Sequence, residues 1–355
     1  MLSRLAVCCL AAALCMPAQM KMSVNQLIQF LRSSVQLKHP DKQVAATVDR
    51  IALTERLDER TIEDLQGQGV GPRTLQALEA LREKSKVMAP AVVAAPKPPP
   101  PALPPPSEEV QGKALEQVRE YALNYTKQLP NFICTQVTRR FVDPSGLEFW
   151  QKADVITAKL SYFEQKEDYK VIMVNSQPVD TGIHEVGGAS SAGEFGSMLR
   201  EVFEPETQAR FGWVRWATLR GRRHYVFSFH VAQDKSRRSV TYEKTMTIVS
   251  GYKGLLFVDA DTQTVSRIRV EQELPPTFPV QQAMVELDYD LVEIAGGTGK
   301  FMLPLKHTMR MRMAKTLMKN EAEFRMYRKF GADTSITFDT PEPLAEDKLS
   351  EQPLK

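Results

Sequence analysis

Apolar side chains in the first part of the chain recur at the three- and four-residue intervals typical of amphipathic helices. The first such set is Val24, Leu27, Ile28 and Leu31. It follows Ser23, a good N-cap residue, and a later set follows Pro72, which suits the first position of a helix. The pattern predicts a small all-α module over residues 20–88.

Beyond residue 130 the apolar period changes to two, which is the alternation of strands that bury one face. One example is the set Tyr225, Phe227 and Phe229. Many such segments follow each other with short turns between them, as in an antiparallel sheet. Residues 107–340 are therefore predicted to form an α+β domain built on a curved antiparallel sheet. The helices expected to cover this sheet begin at Ser107 and Glu194.

A proline-rich run over residues 89–106 separates the two patterns. Proline lacks a backbone donor and favours the polyproline II conformation, so the run is predicted to be a disordered, semi-rigid linker. A second interpretation is that its PxxP segments are ligands for an aromatic-lined groove. The polar, proline-containing residues 341–355 are predicted to form a disordered tail.

Residues 1–19 have the pattern of a secretory signal peptide. Arg4 precedes the apolar segment 5–16, and Ala18 supplies a small residue for cleavage. The later apolar stretches are too short to span a membrane as a helix. We therefore expect an exported protein, either periplasmic or extracellular. Cys134 would be the only cysteine left after cleavage, so no internal disulfide is expected.

The sequence lacks recognisable motifs for catalysis or cofactor binding. The glycine-rich segment 296–300 lacks the first glycine and the Ser/Thr of a P-loop, and the histidines do not have the spacing of a zinc site. His224 and His230 could still meet an acid across a sheet. The net charge of +3 is mild and does not indicate a nucleic acid partner. These features predict a non-enzymatic protein without a metal or a cofactor.

The order of elements resembles the half-barrel of periplasmic lipoprotein carriers and of their lipid-binding and envelope-stress sensor relatives. The best local match is the segment Gly254–Ile268, in which a turn containing Asp259 and Asp261 leads into a strand. The resemblance spans residues 108–338. It implies a curved sheet whose concave face holds acyl chains or an apolar peptide.

Aromatic and methionine side chains at alternating positions are the candidates to line that concave face. They are Tyr225, Phe227, Phe229, Met309, Met311 and Met313. Thioethers adapt to irregular apolar ligands, but the same stripes also fit an ordinary sheet core. The first hypothesis is an exported bacterial envelope protein that binds lipid, a lipidated protein or another apolar ligand, with an envelope protein as a further partner.

A glycine turn in the front module supports a second hypothesis. Gly69, Gly71 and Arg73 resemble the hairpin of the helix-hairpin-helix DNA-binding family, in which backbone N–H groups contact a phosphate. The alternative is a tight turn between two packed helices. On the second hypothesis, the front module docks a protein or DNA and the sheet is a scaffold.

Overall fold

The structure is a computed structural model that describes residues 20–90, 103–182, 197–243, 245–329, 343–345 and 349–353. The chain divides into two compact units, Met1–Pro98 and Pro99–Lys355. The predicted signal peptide and most of the predicted linker lie outside the described residues. The same holds for residues 194–196, where the second covering helix was expected to begin.

Residues 20–90 of the front unit form four helices and a pair of short strands. They are β1 Met20–Met22, α1 Val24–Gln36, α2 Asp41–Val48, β2 Ile51–Leu53, α3 Glu59–Gly67 and α4 Pro72–Ser85. Ser23 caps α1, because its hydroxyl accepts from Gln26 N and the Gln26 side chain accepts from Ser23 N. The parallel pairing of β1 with β2 departs from the predicted all-α module. Three-residue strands are too short to produce a readable alternation.

The described part of the second unit contains fourteen strands, of which twelve form one antiparallel sheet. The strands in the first half are β3 Phe132–Asp143, β4 Gln151–Phe163, β5 Lys166–Val174, β6 Gln177–Gly182, β7 Arg210–Leu219 and β8 Arg222–Val231. The later ones are β9 Ser239–Tyr242, β10 Met246–Val249, β11 Gly251–Asp259, β12 Val265–Glu273, β13 Val280–Glu293, β14 Lys300–Met313, β15 Thr316–Lys329 and β16 Glu351–Gln352. Strands β9 and β10 form a separate hairpin.

The order across the sheet is β16-β7-β8-β11-β12-β13-β14-β15-β3-β4-β5-β6. All neighbours are antiparallel, and the curved sheet is not closed into a barrel. This architecture confirms the predicted α+β class with an open, curved antiparallel sheet. It also places β14 near the centre of the sheet, where residues 306–313 lie between β13 and β15.

Two helices, α5 Glu108–Gln128 and α6 Ser197–Phe203, pack against one face of this sheet, which we call the inner face. Ser107 caps α5 by accepting from Val110 N, and two glutamates in the first turn suit the positive end of the helix dipole. The residues that α5 buries are Ala114, Val118, Ala122 and Tyr125. The opposite, outer face carries most of the charges of the sheet.

Residues 349–353 lie on the sheet, within the segment 341–355 that was predicted to be a disordered tail. Strand β16 pairs with the edge strand β7, and Leu349 is buried. Gln352 accepts a hydrogen bond from Gly221 N at 2.9 Å, and Leu344 N donates to Glu323 at 2.9 Å. Backbone pairing with a sheet edge requires no apolar pattern in the added strand, which explains why composition alone indicated disorder.

Candidate functional site

The predicted site residues fall into two different parts of the inner face. Tyr225, Phe227 and Phe229 lie under the helices and have 9%, 0% and 2% of their surface exposed. They pack in the same core cluster as Tyr125 of α5. These three aromatic residues therefore form ordinary core, the alternative that the sequence left open.

The three methionines lie on β14 beyond the cluster that contains α5. They share the inner face, with Met309 buried and Met311 and Met313 half-buried. They belong to none of the core clusters formed by the described residues. The alternation of β14 is thus confirmed. Its three methionines are the predicted apolar site residues that lie outside these core clusters.

Strand register extends the methionines into an apolar row across four strands. Met311 pairs with Ala283 on β13 and with Met318 on β15, and Met318 pairs with Val142 on β3. All four side chains are half-buried. We call this set, together with Met309 and Met313, the methionine patch. Met318 and Val142 could not be found from the sequence, because their place beside Met311 depends on strand order.

Beside this row, Met309 leads into polar residues whose charges balance. Met309 pairs with Asn320, and Asn320 pairs with Arg140. Arg140 makes a two-pronged ion pair with Asp154, at 2.7 Å and 2.5 Å. The patch is therefore bordered by hydrogen-bonding groups whose charges cancel, rather than by a free cation.

The outer face differs sharply from the methionine patch. Charged side chains occupy successive outward positions of the same central strands: Arg269, Glu286, Arg310, Lys319 and Glu321. Arg269 and Glu286 form an ion pair at 2.5 Å. A charged outer face suits water, whereas the patch presents apolar surface on the other side of the same strands.

Each of the two histidines left open by the sequence meets an acid across the sheet. His230 Nε2 lies 3.1 Å from Glu273 at the surface. His224 is fully buried, with Nε2 2.8 Å from Ser266 Oγ and 3.9 Å from Asp259. Burial lowers the pKa of His224, so the ring is neutral. Because the three clustered residues have no exposed surface, a substrate cannot reach them and the cluster is structural.

A polar cleft of about 440 Å³ lies between α5 and the turn that joins β11 to β12. Its lining residues are Gln117, Glu120, Tyr121, Asn124, Gln128, Asp261, Thr262 and Gln263. Amides and carboxylates predominate here, so the cleft does not suit an acyl chain. Among the described residues, no group of three or more metal-ligating side chains is placed to hold a metal ion.

The glycine turn of the front unit already holds an anion from the chain itself. Gly71 ends the turn and precedes α4, whose first N–H groups would face a phosphate in a DNA-binding hairpin. Asp41 occupies this place: its carboxylate accepts from Arg73 N at 2.9 Å, Thr74 N at 3.0 Å and the Thr74 hydroxyl at 2.7 Å. Burial acts to raise the pKa of Asp41, but these hydrogen bonds outweigh it and lower the pKa. A side chain at position 71 would clash with this carboxyl group.

The contact between Asp41 and the start of α4 accounts for the two glycines of the turn, and no nucleic acid ligand is needed to explain them. Gly69 adopts a positive φ of 92°, which a glycine tolerates, and Gly71 allows Asp41 to approach. Arg73 contributes its backbone to the cap, and its side chain is exposed. The geometry therefore favours the tight-turn interpretation over the DNA-binding one.

Replacing Asp41 by alanine should destabilise the front unit by about 1 kcal/mol, because α4 loses its cap. The measurement is amide hydrogen exchange at Arg73 and Thr74, whose protection should fall. Asp49→Ala is the matched control, since Asp49 is an exposed residue at the other end of α2. Unchanged protection at both amides in Asp41→Ala would contradict the assignment of the cap.

No protein-family model and no curated protein matches the chain. Among solved structures, it is similar to an outer membrane lipoprotein-sorting protein domain from Vibrio parahaemolyticus, at 11% identity and a TM-score of 0.27, over 65% of this chain and 95% of that one. It is also similar to a DUF1329 family protein from Desulfovibrio piger, at 11% identity and a TM-score of 0.29, over 64% and 96%. A third similarity is to the MucA/MucB complex of Pseudomonas aeruginosa, at 9% identity and a TM-score of 0.19, over 60% and 93%.

The first of these structures is named for the class that the sequence resembles. TM-scores below 0.5 decide neither a ligand nor a partner for this chain. In the part of the chain that the structure describes, no helix combines the length and the apolar character needed to cross a membrane.

Proposed function

We propose that this protein is an exported envelope protein that holds an acyl chain, from a lipid or a lipidated protein, on the methionine patch. The observation that carries the proposal is a half-buried apolar row, Ala283–Met311–Met318–Val142, on a sheet whose reverse face is charged. The signal-peptide pattern of residues 1–19 supports export.

The chemistry of the patch fits a flexible apolar chain. Methionine side chains are unbranched and polarisable, so they conform to ligands of irregular shape. Each methylene group that leaves water contributes about 0.8 kcal/mol, so the affinity should increase with the length of the acyl chain. The Arg140–Asp154 pair beside the patch adds no net charge there, so the patch does not select for a charged head group.

Met311→Lys should abolish most acyl-chain binding, because it places a charge in the middle of the apolar row. Binding is measured by titration with a fluorescent fatty acid and by native mass spectrometry of gently extracted protein. Met284→Lys is the matched control, since Met284 is a half-buried methionine on the outer face of β13, opposite Arg310.

The two lysine variants separate ligand binding from general damage to the sheet. We expect Met284→Lys to bind as the wild type does, with both variants folded by circular dichroism. Equal losses in both variants, or wild-type protein that neither carries lipid nor takes up the fluorescent fatty acid, would contradict the proposal.

A further inference from the structure

The end of the proline-rich run lies against an aromatic surface of the sheet. Pro104, Pro105 and Pro106 lead directly into the cap of α5. The indole Nε1–H of Trp216 donates to the carbonyl oxygen of Pro104 at 2.8 Å. The side-chain amide of Gln111 donates to the carbonyl oxygen of Pro106, also at 2.8 Å. Two side chains therefore donate hydrogen bonds to backbone carbonyl groups that lie two residues apart.

The surface that supplies the indole donor is a rigid cluster of rings. Trp216 lies 4.8 Å from Tyr225 and 5.1 Å from Trp213 between ring centroids, and the two indoles are nearly perpendicular. The guanidinium of Arg223 lies 5.7 Å from the centre of the Trp216 ring. Both tryptophans are half-buried, so part of each ring faces outward.

These features match the way in which polyproline II segments are recognised. Such a segment has no internal hydrogen bonds and presents its carbonyl groups outward, and it loses little entropy on binding. Aromatic-lined grooves bind it through ring stacking and donors aimed at those carbonyls. A proline-rich run that ends in hydrogen bonds to an indole and an amide has the chemistry of a ligand as well as that of a spacer.

We propose that the Trp213–Trp216 surface, backed by Tyr225 and extended by Gln111, is a polyproline II binding site whose occupant is the chain's own segment Pro104–Pro106. The site anchors the rear end of the linker to the sheet, so the tether to the front unit is shorter than the proline-rich run itself. This proposal does not depend on acyl-chain binding, because the methionine patch lies on other strands.

The test uses the full chain with ¹⁵N-labelled indole groups. In one variant, residues 99–106 are replaced by glycine and serine, and a synthetic peptide of residues 96–107 is then added. We expect the Trp216 indole resonance to shift on replacement and to return to its original position as the peptide saturates the site. The Trp150 resonance, from an indole elsewhere on the sheet, should stay unchanged in both steps.

A second variant tests the donor itself. Trp216→Phe keeps an aromatic ring but removes the N–H group, so it should weaken peptide binding to the replaced-linker protein about tenfold, the value of one hydrogen bond. Trp150→Phe should leave the affinity unchanged. The proposal would be overturned if the Trp216 indole resonance did not shift on linker replacement, or if the peptide did not restore its position. Equal peptide affinity in Trp216→Phe and in the protein with Trp216 would also overturn it.

Discussion

Arg267→Met is expected to lower the free energy of unfolding of the sheet unit by about 3–5 kcal/mol, because it leaves a buried carboxylate without its hydrogen-bonding partner. Arg267 and Asp288 are 7% and 4% exposed and form two hydrogen bonds, at 2.9 Å and 3.1 Å. The guanidinium also donates to the carbonyl of Leu349 at 2.5 Å and lies over the ring of Phe257. Urea unfolding followed by circular dichroism measures the effect.

Arg269→Met is the matched control, on the same strand and the same face. Arg269 is 44% exposed on its side chain and pairs with Glu286 near the surface, so its loss should cost at most about 1 kcal/mol. Similar losses in the two variants would show that burial of the Arg267–Asp288 pair does not determine the stability of the outer face.

The Arg267→Met effect should also depend on pH. Burial raises the pKa of Asp288 although Arg267 acts to lower it, so removing Arg267 raises the pKa further. A carboxyl group with a raised pKa in the folded state stabilises the fold at low pH and loses this contribution as the pH rises through that pKa. The destabilisation should therefore shrink as the pH falls. Glu286 and Arg220, which also face Asp288, are present in both proteins and largely cancel in the difference.

Deleting residues 349–355 should destabilise the sheet unit by about 2–4 kcal/mol. The deletion exposes surface that Leu349 covers, removes the carbonyl acceptor of Arg267 and leaves the edge of β7 without its partner strand. Thermal unfolding of the truncated and full-length chains measures the loss.

Glu351→Gln tests how much of the truncation effect comes from the ion pair between Glu351 and Arg215. Glu351 faces Arg215 with both side chains partly exposed, so this variant should lose less than about 1 kcal/mol. If truncation leaves the melting temperature unchanged, the residues after 348 do not contribute to the stability of the sheet.

The strands could be predicted because alternation is a local property of the chain. Met309, Met311 and Met313 indicate one face of one strand, and the structure confirms it. The cap residues Ser23 and Ser107 were also readable, since an N-cap acts within three positions.

Contacts that depend on strand order could not be read from the sequence. Val142 reaches Met318 only because β15 returns to pair with β3. Asp41 caps α4 from more than thirty residues away, and the glycine motif alone gives no sign that an internal carboxylate fills its anion site. The local motif therefore resembles a phosphate site, but in the folded chain the carboxylate of Asp41 occupies that site.

The position of β16 has a consequence for how the sheet unit responds to proteolysis. Residues 349–353 pair with β7, and the carbonyl group of Leu349 completes the hydrogen bonding of Arg267 on the outer face. A cut that removes these residues therefore leaves the buried Arg267–Asp288 pair less fully hydrogen-bonded, although every longer strand of the sheet is retained.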